Sequence, residues 1–482
     1  MGRYKDLLLN IALFLANSVV TKLISFVLVP LYTAYMSAGE YGLTDMSSTV
    51  ISLIMPIVTF NTADAAVRYI VGDRVNAERY AAVSFALTAA SIPIIALFTP
   101  LLDLSVFGGL GAYKGWFVAI YATTSFSTLC GGVARGCGEI RIIPVCAAVS
   151  SLTTLACAVV LIAGAGMGVV GYFASVTAGL ALSVAVYLSA GGLARMVVRG
   201  LLELLRGGVK QVRRTVVPMV RYALPLIPNS LFWWAGNSIN RFFITGMMGI
   251  SASGMFAAAS KIPSLLNTVY SIFQQAWQLS VFRESGAATI SSFYSTVFRV
   301  VSAALTVVCA LLSLISPLLA SILLKGETYS AWPMIPLLLL ANLMNVFNSF
   351  YGTVYTSTMH TDYIMRTTVF GALSCAVLTP LLIPVAGTYG ACVASVVGQG
   401  LVFALRARNS RRYIAFDAGW RTLALTLALL TLQAVISAAQ APWWQVVSLA
   451  CTAIIFAVQG RRLLPLFSAL KARLVSRIRR RK

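Results

Sequence analysis

Lys22, Arg241 and Lys261 each stand inside a long apolar run, and none has an acidic residue one helical turn away on its own segment. A charge at the centre of a transmembrane helix costs about 2.5–3.5 kcal/mol on the insertion scale, so three such cations facing lipid would cost on the order of 8 kcal/mol. Two arrangements avoid that cost. The cations can line a watery cavity, where a pyrophosphate-like anion would suit them. Alternatively, each can pair with a carboxylate on another helix and act as structural glue. Asp45, Asp64 and Arg68 are the other charges to place. Asp64 and Arg68 are four residues apart, so on a helix they share a face and could pair with each other. Asp45 lies close to the start of its run, where it would favour the helix N-terminus, partner Lys22 or serve as a protonatable gate. Asp64 and Arg68 are kept beside it as candidates for gating or coupling.

Neutral polar residues recur on a few of the same runs. Asn229, Asn237 and Asn240 flank Trp233 and Trp234, a mixture suited to sugars, with amides for hydroxyls and rings for the apolar sugar face. Asn342, Asn345 and Asn348 follow one another at three-residue spacing, and Gln274, Gln275 and Gln278 cluster upstream of them. Asn17 matches Asn229 in an internal comparison given below, and joins Asn229, Trp233, Asn237, Asn240, Gln274, Asn342 and Asn345 as candidate cavity lining. Hydrogen bonding between helices is the competing role for each of them. His360 is the only histidine, and the eight cysteines contain no CxxC pair, so no metal site and no cofactor are expected. No G-x-x-x-x-G-K-[ST] loop occurs, so nothing supports ATP hydrolysis by this chain.

The elements that must position these residues follow from composition. Of the 482 residues, 59% are apolar and 10% are charged. Average soluble chains run at about 45–50% and about 25%, and charge this sparse cannot cover a soluble surface. Apolar runs of about 20 residues suffice to cross the hydrocarbon core as helices. Fourteen are expected, near 7–35, 41–71, 80–108, 113–134, 142–163, 168–190, 219–248, 251–282, 293–324, 329–358, 366–386, 388–408, 421–438 and 442–460. They are continuously apolar rather than alternating, so the fold class is an all-α polytopic membrane protein.

The formal net charge of +23 comes from 36 Lys+Arg against 13 Asp+Glu. If the N-terminus is cytoplasmic, 29 of the 36 fall in loops on that side, with seven of them between Arg195 and Arg221 and nine from Arg461 to Lys482. The opposite loops hold Lys114 and Lys325, and Lys22, Arg68, Arg241, Lys261 and Arg299 lie within spans. The positive-inside rule then places both termini in the cytoplasm of a multi-pass cell-membrane protein. No basic face carries interleaved aromatics, so nucleic acid is not an expected partner.

A gapless shift of 212 residues pairs Asn17-Ser18 with Asn229-Ser230, Gly42 with Gly254, and Ser52-Leu53 with Ser264-Leu265, among eight identities in 37 positions. The turns Gly168-Val-Val-Gly171 and Gly387-Thr-Tyr-Gly390 echo one another as well. Two pseudo-symmetric six-helix lobes are expected at 1–190 and 219–408. A basic cytoplasmic connection would lie at 191–218, and two further helices with a basic tail at 409–482. Duplicated lobes around a central substrate site are a common transporter plan.

The stretch Val27-Leu-Val-Pro-Leu-Tyr-Thr-Ala-Tyr35, followed by Gly39-Glu-Tyr-Gly-Leu-Thr-Asp45, resembles the first helical hairpin of the Wzx-type oligosaccharide flippases. These belong to the polysaccharide transport family of the multidrug/oligosaccharidyl-lipid/polysaccharide (MOP) exporter superfamily. The GxxG turns, the helix count and the basic connection are similar too, over essentially the whole chain. The resemblance implies a membrane transporter rather than an enzyme. Its substrate would be a polyprenyl-pyrophosphate-linked oligosaccharide, its surroundings membrane lipids, and its neighbours other polysaccharide assembly proteins. A lipid II flippase, a cation-coupled multidrug extruder and a membrane-embedded glycan polymerase are the alternatives. The extruder should carry a buried carboxylate in an acidic-leaning cavity, and the polymerase should carry acid/base residues in sizeable outer loops.

Overall fold

The computed structural model describes residues 24–284, 290–360 and 362–460, and every regular element among them is helical. Among the described residues, ten helices are long and apolar enough to cross a membrane. The other expected spans differ for identifiable reasons. The first is described only from Ile24, the fourteenth is the 17-residue helix Trp444–Gly460, and the seventh is kept less apolar by its amides and Arg241. The eighth is interrupted at Ile262–Pro263. The chain divides into two compact units, Met1–Ala257 and Ala258–Lys482.

The first unit contains α1 (Ile24–Tyr35), α2 (Ala38–Val58), α3 (Thr62–Gly72), α4 (Ala77–Phe98), α5 (Lys114–Cys137), α6 (Ile142–Ala158), α7 (Gly168–Ser189), α8 (Leu193–Ala223), α9 (Leu226–Met248) and the start of α10 (Ile250–Lys261). Helix α2 begins with a capping box that can be read in Ser37-Ala-Gly-Glu40. The Ser37 hydroxyl accepts from the Glu40 amide at 3.2 Å, and the Ser37 amide donates to the Glu40 carboxylate at 2.8 Å. The expected single run at 41–71 is two helices. Phe60 and Asn61 take left-handed conformations (φ 51° and 47°) and end α2 before α3 begins. A left-handed pair without glycine is costly, and such strain persists where the surrounding structure imposes it.

The basic connection expected at 191–218 is helical. Helix α8 buries Leu204, Met219 and Ala223 against Ala65, Ala82 and Val83, and kinks at Gly208 (φ 66°, ψ −170°). Arg79 holds Glu203 at 2.7 Å, and Arg199 lies 3.6 Å from Glu78. The compact units divide within α10, and α9 packs along α2 in the first unit.

The second unit holds the rest of α10, then α11 (Ser264–Glu284), α12 (Ile290–Leu314), α13 (Ser316–Leu323), α14 (Ile335–Ser357), α15 (Asp362–Ala386), α16 (Thr388–Ser410), α17 (Trp420–Ala438) and α18 (Trp444–Gly460). Its core is aromatic. Trp277 stacks on Phe350 with centroids 4.9 Å apart and meets Tyr294 edge-on at 5.0 Å, and Phe298 lies 5.1 Å from Phe350. The last two helices are tied in by Gln433, whose amide donates to the Ala310 carbonyl at 3.1 Å and to Ser448 at 2.6 Å.

The echoing turns are alike in three dimensions. Gly168 and Gly387 both have positive φ, 48° and 56°. A side chain on Gly171 would meet the Leu161 carbonyl at 3.2 Å, and one on Gly390 the Leu382 carbonyl at 2.3 Å. In both hairpins the second glycine lets its helix start close against the end of the one before it.

Candidate functional site

The most constrained ionic contact in the first unit joins α2 to α9. Asp45 lies two turns into α2, and Arg241 on α9 brings its Nε to 2.5 Å from an Asp45 carboxylate oxygen. Only 10% of the Asp45 side chain and 18% of the Arg241 side chain reach solvent. Asp45 is therefore buried, where the sequence placed it near water. Arg241, which lacks an acidic neighbour on its own helix, finds one on another. Tyr41, one turn before Asp45, is 3% exposed and lies within Coulombic range of both charges. A second clamp lies further along the same pair of helices, where the Trp234 indole donates to the Thr49 carbonyl at 3.1 Å and to Ser52 at 3.2 Å.

The start of α2 also packs closely on the start of α10. A Cβ on Gly42 would lie 2.3 Å from the Ile250 carbonyl, and one on Gly254 would lie 1.8 Å from the Ala38 carbonyl. No side chain fits at either position. The two glycines that the internal comparison aligned therefore meet each other, with the Gly254 amide nitrogen 3.1 Å from the position of a Gly42 Cβ.

The polar residues of α9 lie on neighbouring stripes of one side of the helix and differ in burial along its length: Trp234, Asn240 and Arg241 are packed inward. Asn229, Trp233 and Asn237 follow at four-residue intervals, so they form one stripe, and all three are exposed, Trp233 at 66%. Within the stripe the Asn237 amide donates to the Trp233 carbonyl at 2.7 Å, leaving its carbonyl oxygen outward.

Candidates in the second unit carry more structural bonding. Asn342 donates to the Leu338 carbonyl at 2.9 Å and accepts from Asn267. Asn348 donates to the Gln399 side chain at 2.9 Å, which joins α14 to α16. Asn345 and Gln274 are half-buried. Lys261 is half-buried at the end of α10, and its carbonyl accepts from the Ser264 hydroxyl at 2.6 Å as the chain turns at Pro263. Lys22 and Asn17 lie outside the described residues.

Asp64 and Arg68 do not form an ion pair; both are exposed. Their separation on α3 permits a pair, but the two side chains serve different recesses. Asp64 lines a cavity of about 130 Å³ at the α2–α3 break, with Thr59, Asn61, Thr88 and Ser125 beside the apolar Met55 and Leu129. Arg68 opens into a larger recess at the far end of α3.

The sequence also misplaced one cation. Arg406, counted among the 29 cations of the cytoplasmic side, is 7% exposed inside the second unit. Its guanidinium donates to the Asn348 carbonyl at 2.8 Å, to Thr367 and Thr368 at 3.0 Å, and to the Ile364 carbonyl at 3.3 Å. The run of arginines after Leu405 hid it, since position alone does not separate a helix-end arginine that folds inward from one that reaches water. Arg299, placed by the sequence within a span, pairs with Asp417.

The described residues thus form apolar helices, interrupted at Phe60–Asn61 and at Ile262–Pro263, that carry amides, a largely buried ion pair and an exposed indole. Residues 7–278, more than half of the chain, match the family of polysaccharide biosynthesis proteins, and the chain belongs to that family. No curated protein matches it in sequence. Among solved structures, it is similar to a multidrug resistance MATE family transporter of the MOP superfamily in its inward-facing conformation. The TM-score is 0.65 at 14% identity, over 82% of this chain and 94% of that one. It is also similar to the lipid II flippase MurJ in an inward closed conformation, with TM-score 0.63 at 11% identity over 95% and 100% of the two chains. A third is a MOP superfamily transporter from Pyrococcus furiosus with a binding pocket of reverse polarity, at TM-score 0.51 and 15% identity over 84% and 95%. The fold is that of the MOP superfamily, and these neighbours are transporters and a flippase, not enzymes.

Proposed function

We propose that this chain is a Wzx-type flippase that carries a polyprenyl-pyrophosphate-linked oligosaccharide from the inner to the outer leaflet of the cytoplasmic membrane. The observation that carries this reading is the exposed Asn229–Trp233–Asn237 stripe of α9, whose next four-residue step is the largely buried Arg241. Amides that accept and donate to hydroxyls, and an indole face for the ring carbons, match a saccharide. Membership of the polysaccharide biosynthesis family supports the same substrate class.

On this reading the basic side of the bundle is cytoplasmic, as are both termini. Lys22 and Lys261 supply the positive potential that draws the pyrophosphate inward, and Arg241, its charge balanced by Asp45, offers its remaining guanidinium N–H groups, while the polyprenyl tail stays in the bilayer. Alternating access requires the glycine contact between α2 and α10 to part when the outer side opens. An anion leaving a cell with an inside-negative potential gains about 2.3 kcal/mol per charge per 100 mV, so outward movement has a driving force without a coupled cation. A cation-coupled extruder would instead need a deep carboxylate free to bind its ion, and the deep carboxylate in the first unit, Asp45, is occupied by Arg241.

The test is translocation of a fluorescent short-chain polyprenyl-pyrophosphate disaccharide in proteoliposomes. Wild-type protein should expose the probe to the opposite leaflet. The Lys22→Gln/Lys261→Gln double variant should lower the rate at least tenfold at equal protein content, and should abolish surface glycan in cells. Normal glycan output from that variant would remove the cationic cavity, and no translocation by wild-type protein would remove the flippase reading.

A further inference from the structure

The recess that receives Arg68 lies away from the α2–α9 contacts, at the basic end of the first unit. It is an open surface recess of about 370 Å³, lined by Arg68, Tyr69 and Gly72 of α3, Asp73 of the following loop, Tyr80 of α4 and Tyr222 of α8. Three tyrosine rings form its wall. Tyr69 lies 5.3 Å from Tyr80 and 6.1 Å from Tyr222, centroid to centroid, the latter edge-on. The wall is held in place. The Tyr69 hydroxyl donates to the Pro218 carbonyl at 2.9 Å, and the Tyr80 hydroxyl donates to Asp73 at 3.2 Å. Asp73 is itself fixed by the Asn76 amide at 2.7 Å, and that hydrogen bond holds its carboxyl below the usual carboxylate range, so it is ionised at neutral pH. Arg68 has an exposed guanidinium and forms no ion pair among the described residues, although Asp64 stands one turn away.

This combination is chemically specific. Aromatic faces beside a fixed carboxylate suit a polyhydroxylated ring, whose carbons lie on the aromatic wall while its hydroxyls donate to the carboxylate. A guanidinium with five donors and no carboxylate to satisfy it suits a phosphate. An unphosphorylated sugar would leave Arg68 unused, and a bare phosphate would leave the rings unused and meet the negative Asp73. Recesses lined this way are also large enough for one ring and its phosphate rather than for a long chain, since small-ligand pockets begin at about 300 Å³.

We propose that this recess binds a phosphorylated saccharide, with Arg68 on the phosphate, the Tyr69, Tyr80 and Tyr222 wall on the ring and Asp73 on its hydroxyls. Its role in transport rests on the flippase reading: at the cytoplasmic end it would be an intake station that captures the headgroup before the central cations do. The binding itself does not depend on that reading. A phosphoglycerol headgroup of a membrane phospholipid offers related chemistry, a phosphate carrying hydroxyls, but no ring for the aromatic wall.

The test uses the full chain in nanodiscs and three probes: a citronellyl-pyrophosphate-linked disaccharide, inorganic pyrophosphate, and phosphatidylglycerol included in or omitted from the disc lipid. Calorimetric titration should show that Arg68→Gln weakens disaccharide binding at least tenfold and weakens pyrophosphate binding as well. Tyr222→Leu should weaken the disaccharide about tenfold and leave pyrophosphate unchanged. Both positions are exposed, and an unchanged melting temperature shows that a variant is folded. Disaccharide affinity indifferent to both substitutions overturns the proposal. So does competition by phosphatidylglycerol at full strength together with insensitivity to Tyr222→Leu, which would assign the recess to phospholipid headgroups. If wild-type protein fails to translocate the probe yet binds it in an Arg68-dependent way, the flippase reading falls and the site stands. If translocation and binding both survive Arg68→Gln unchanged, the site falls and the flippase reading stands.

Discussion

The Asp45–Arg241 pair sets structural glue and substrate recognition against each other, and the two roles separate by double substitution. At 2.5 Å and an effective dielectric constant of about 20, two unit charges attract by about 6–7 kcal/mol. Taking each ion out of water costs several kcal/mol, so the intact pair contributes little net stability. Breaking it is another matter. Asp45→Asn leaves a guanidinium that is 18% exposed without its counter-charge, and Arg241→Met leaves a carboxylate that is 10% exposed. Each single change should cost about 3–5 kcal/mol. Asp45→Leu/Arg241→Met removes both charges and should cost far less than the two singles added together, a coupling of at least about 2 kcal/mol. The assay is unfolding in detergent followed by tryptophan fluorescence, with Trp234 as a reporter on the same helix pair. Translocation is then measured on the double variant, which keeps the fold and lacks the cation, and it should fall at least tenfold. Additive single effects would refute the coupled pair. Wild-type transport by a stable double variant would refute any part for Arg241 in recognising the anion.

Other outcomes follow from the same geometry. Gly254→Val places a side chain where the Ala38 carbonyl lies 1.8 Å from a Cβ, so the contact between α2 and α10 cannot close. Accessibility labelling at Ser37 should rise, and translocation should fall at least tenfold. Trp233→Ala removes an exposed ring that packs little, so the melting temperature should stay within about 1–2 °C while the disaccharide affinity in the translocation assay drops several-fold; equal affinity would move the saccharide elsewhere. Arg406→Met leaves the Asn348 and Ile364 carbonyls without their donor, and should destabilise the second unit by about 1–3 kcal/mol, with transport recovering at lowered temperature. Gln433→Leu should cost about 1 kcal/mol and loosen the last two helices, seen as faster proteolysis between Ala438 and Trp444.

The legibility of this molecule in its sequence is uneven, and the unevenness has causes. The helical bundle was legible because each span carries its own signal in its length and continuous apolarity, and a helix in lipid satisfies its backbone internally whatever its neighbours do. The paired GxxG turns were legible because their partners are within a few residues. The break at Phe60–Asn61 was not, since neither residue type announces a left-handed conformation and the run stays apolar through it. Arg406 was not legible either. Whether a guanidinium near a helix end turns inward to carbonyls of α14 and α15 depends on where those helices lie.

The sequence by itself determined a polytopic α-helical chain with strongly asymmetric cations, seventh and eighth spans that carry polar residues, and a set of candidate charges. Only the tertiary structure decided which charges meet. Asp45 and Arg241 are far apart in the chain and pair because α9 packs along α2, whereas Asp64 and Arg68 are one turn apart and do not pair. Spacing along a helix sets which side chains can touch. It does not set which contact wins, because that is chosen by burial. A charge enclosed between two helices has no water to fall back on and must find its opposite, while a charge at an open recess is solvated and remains available to a ligand.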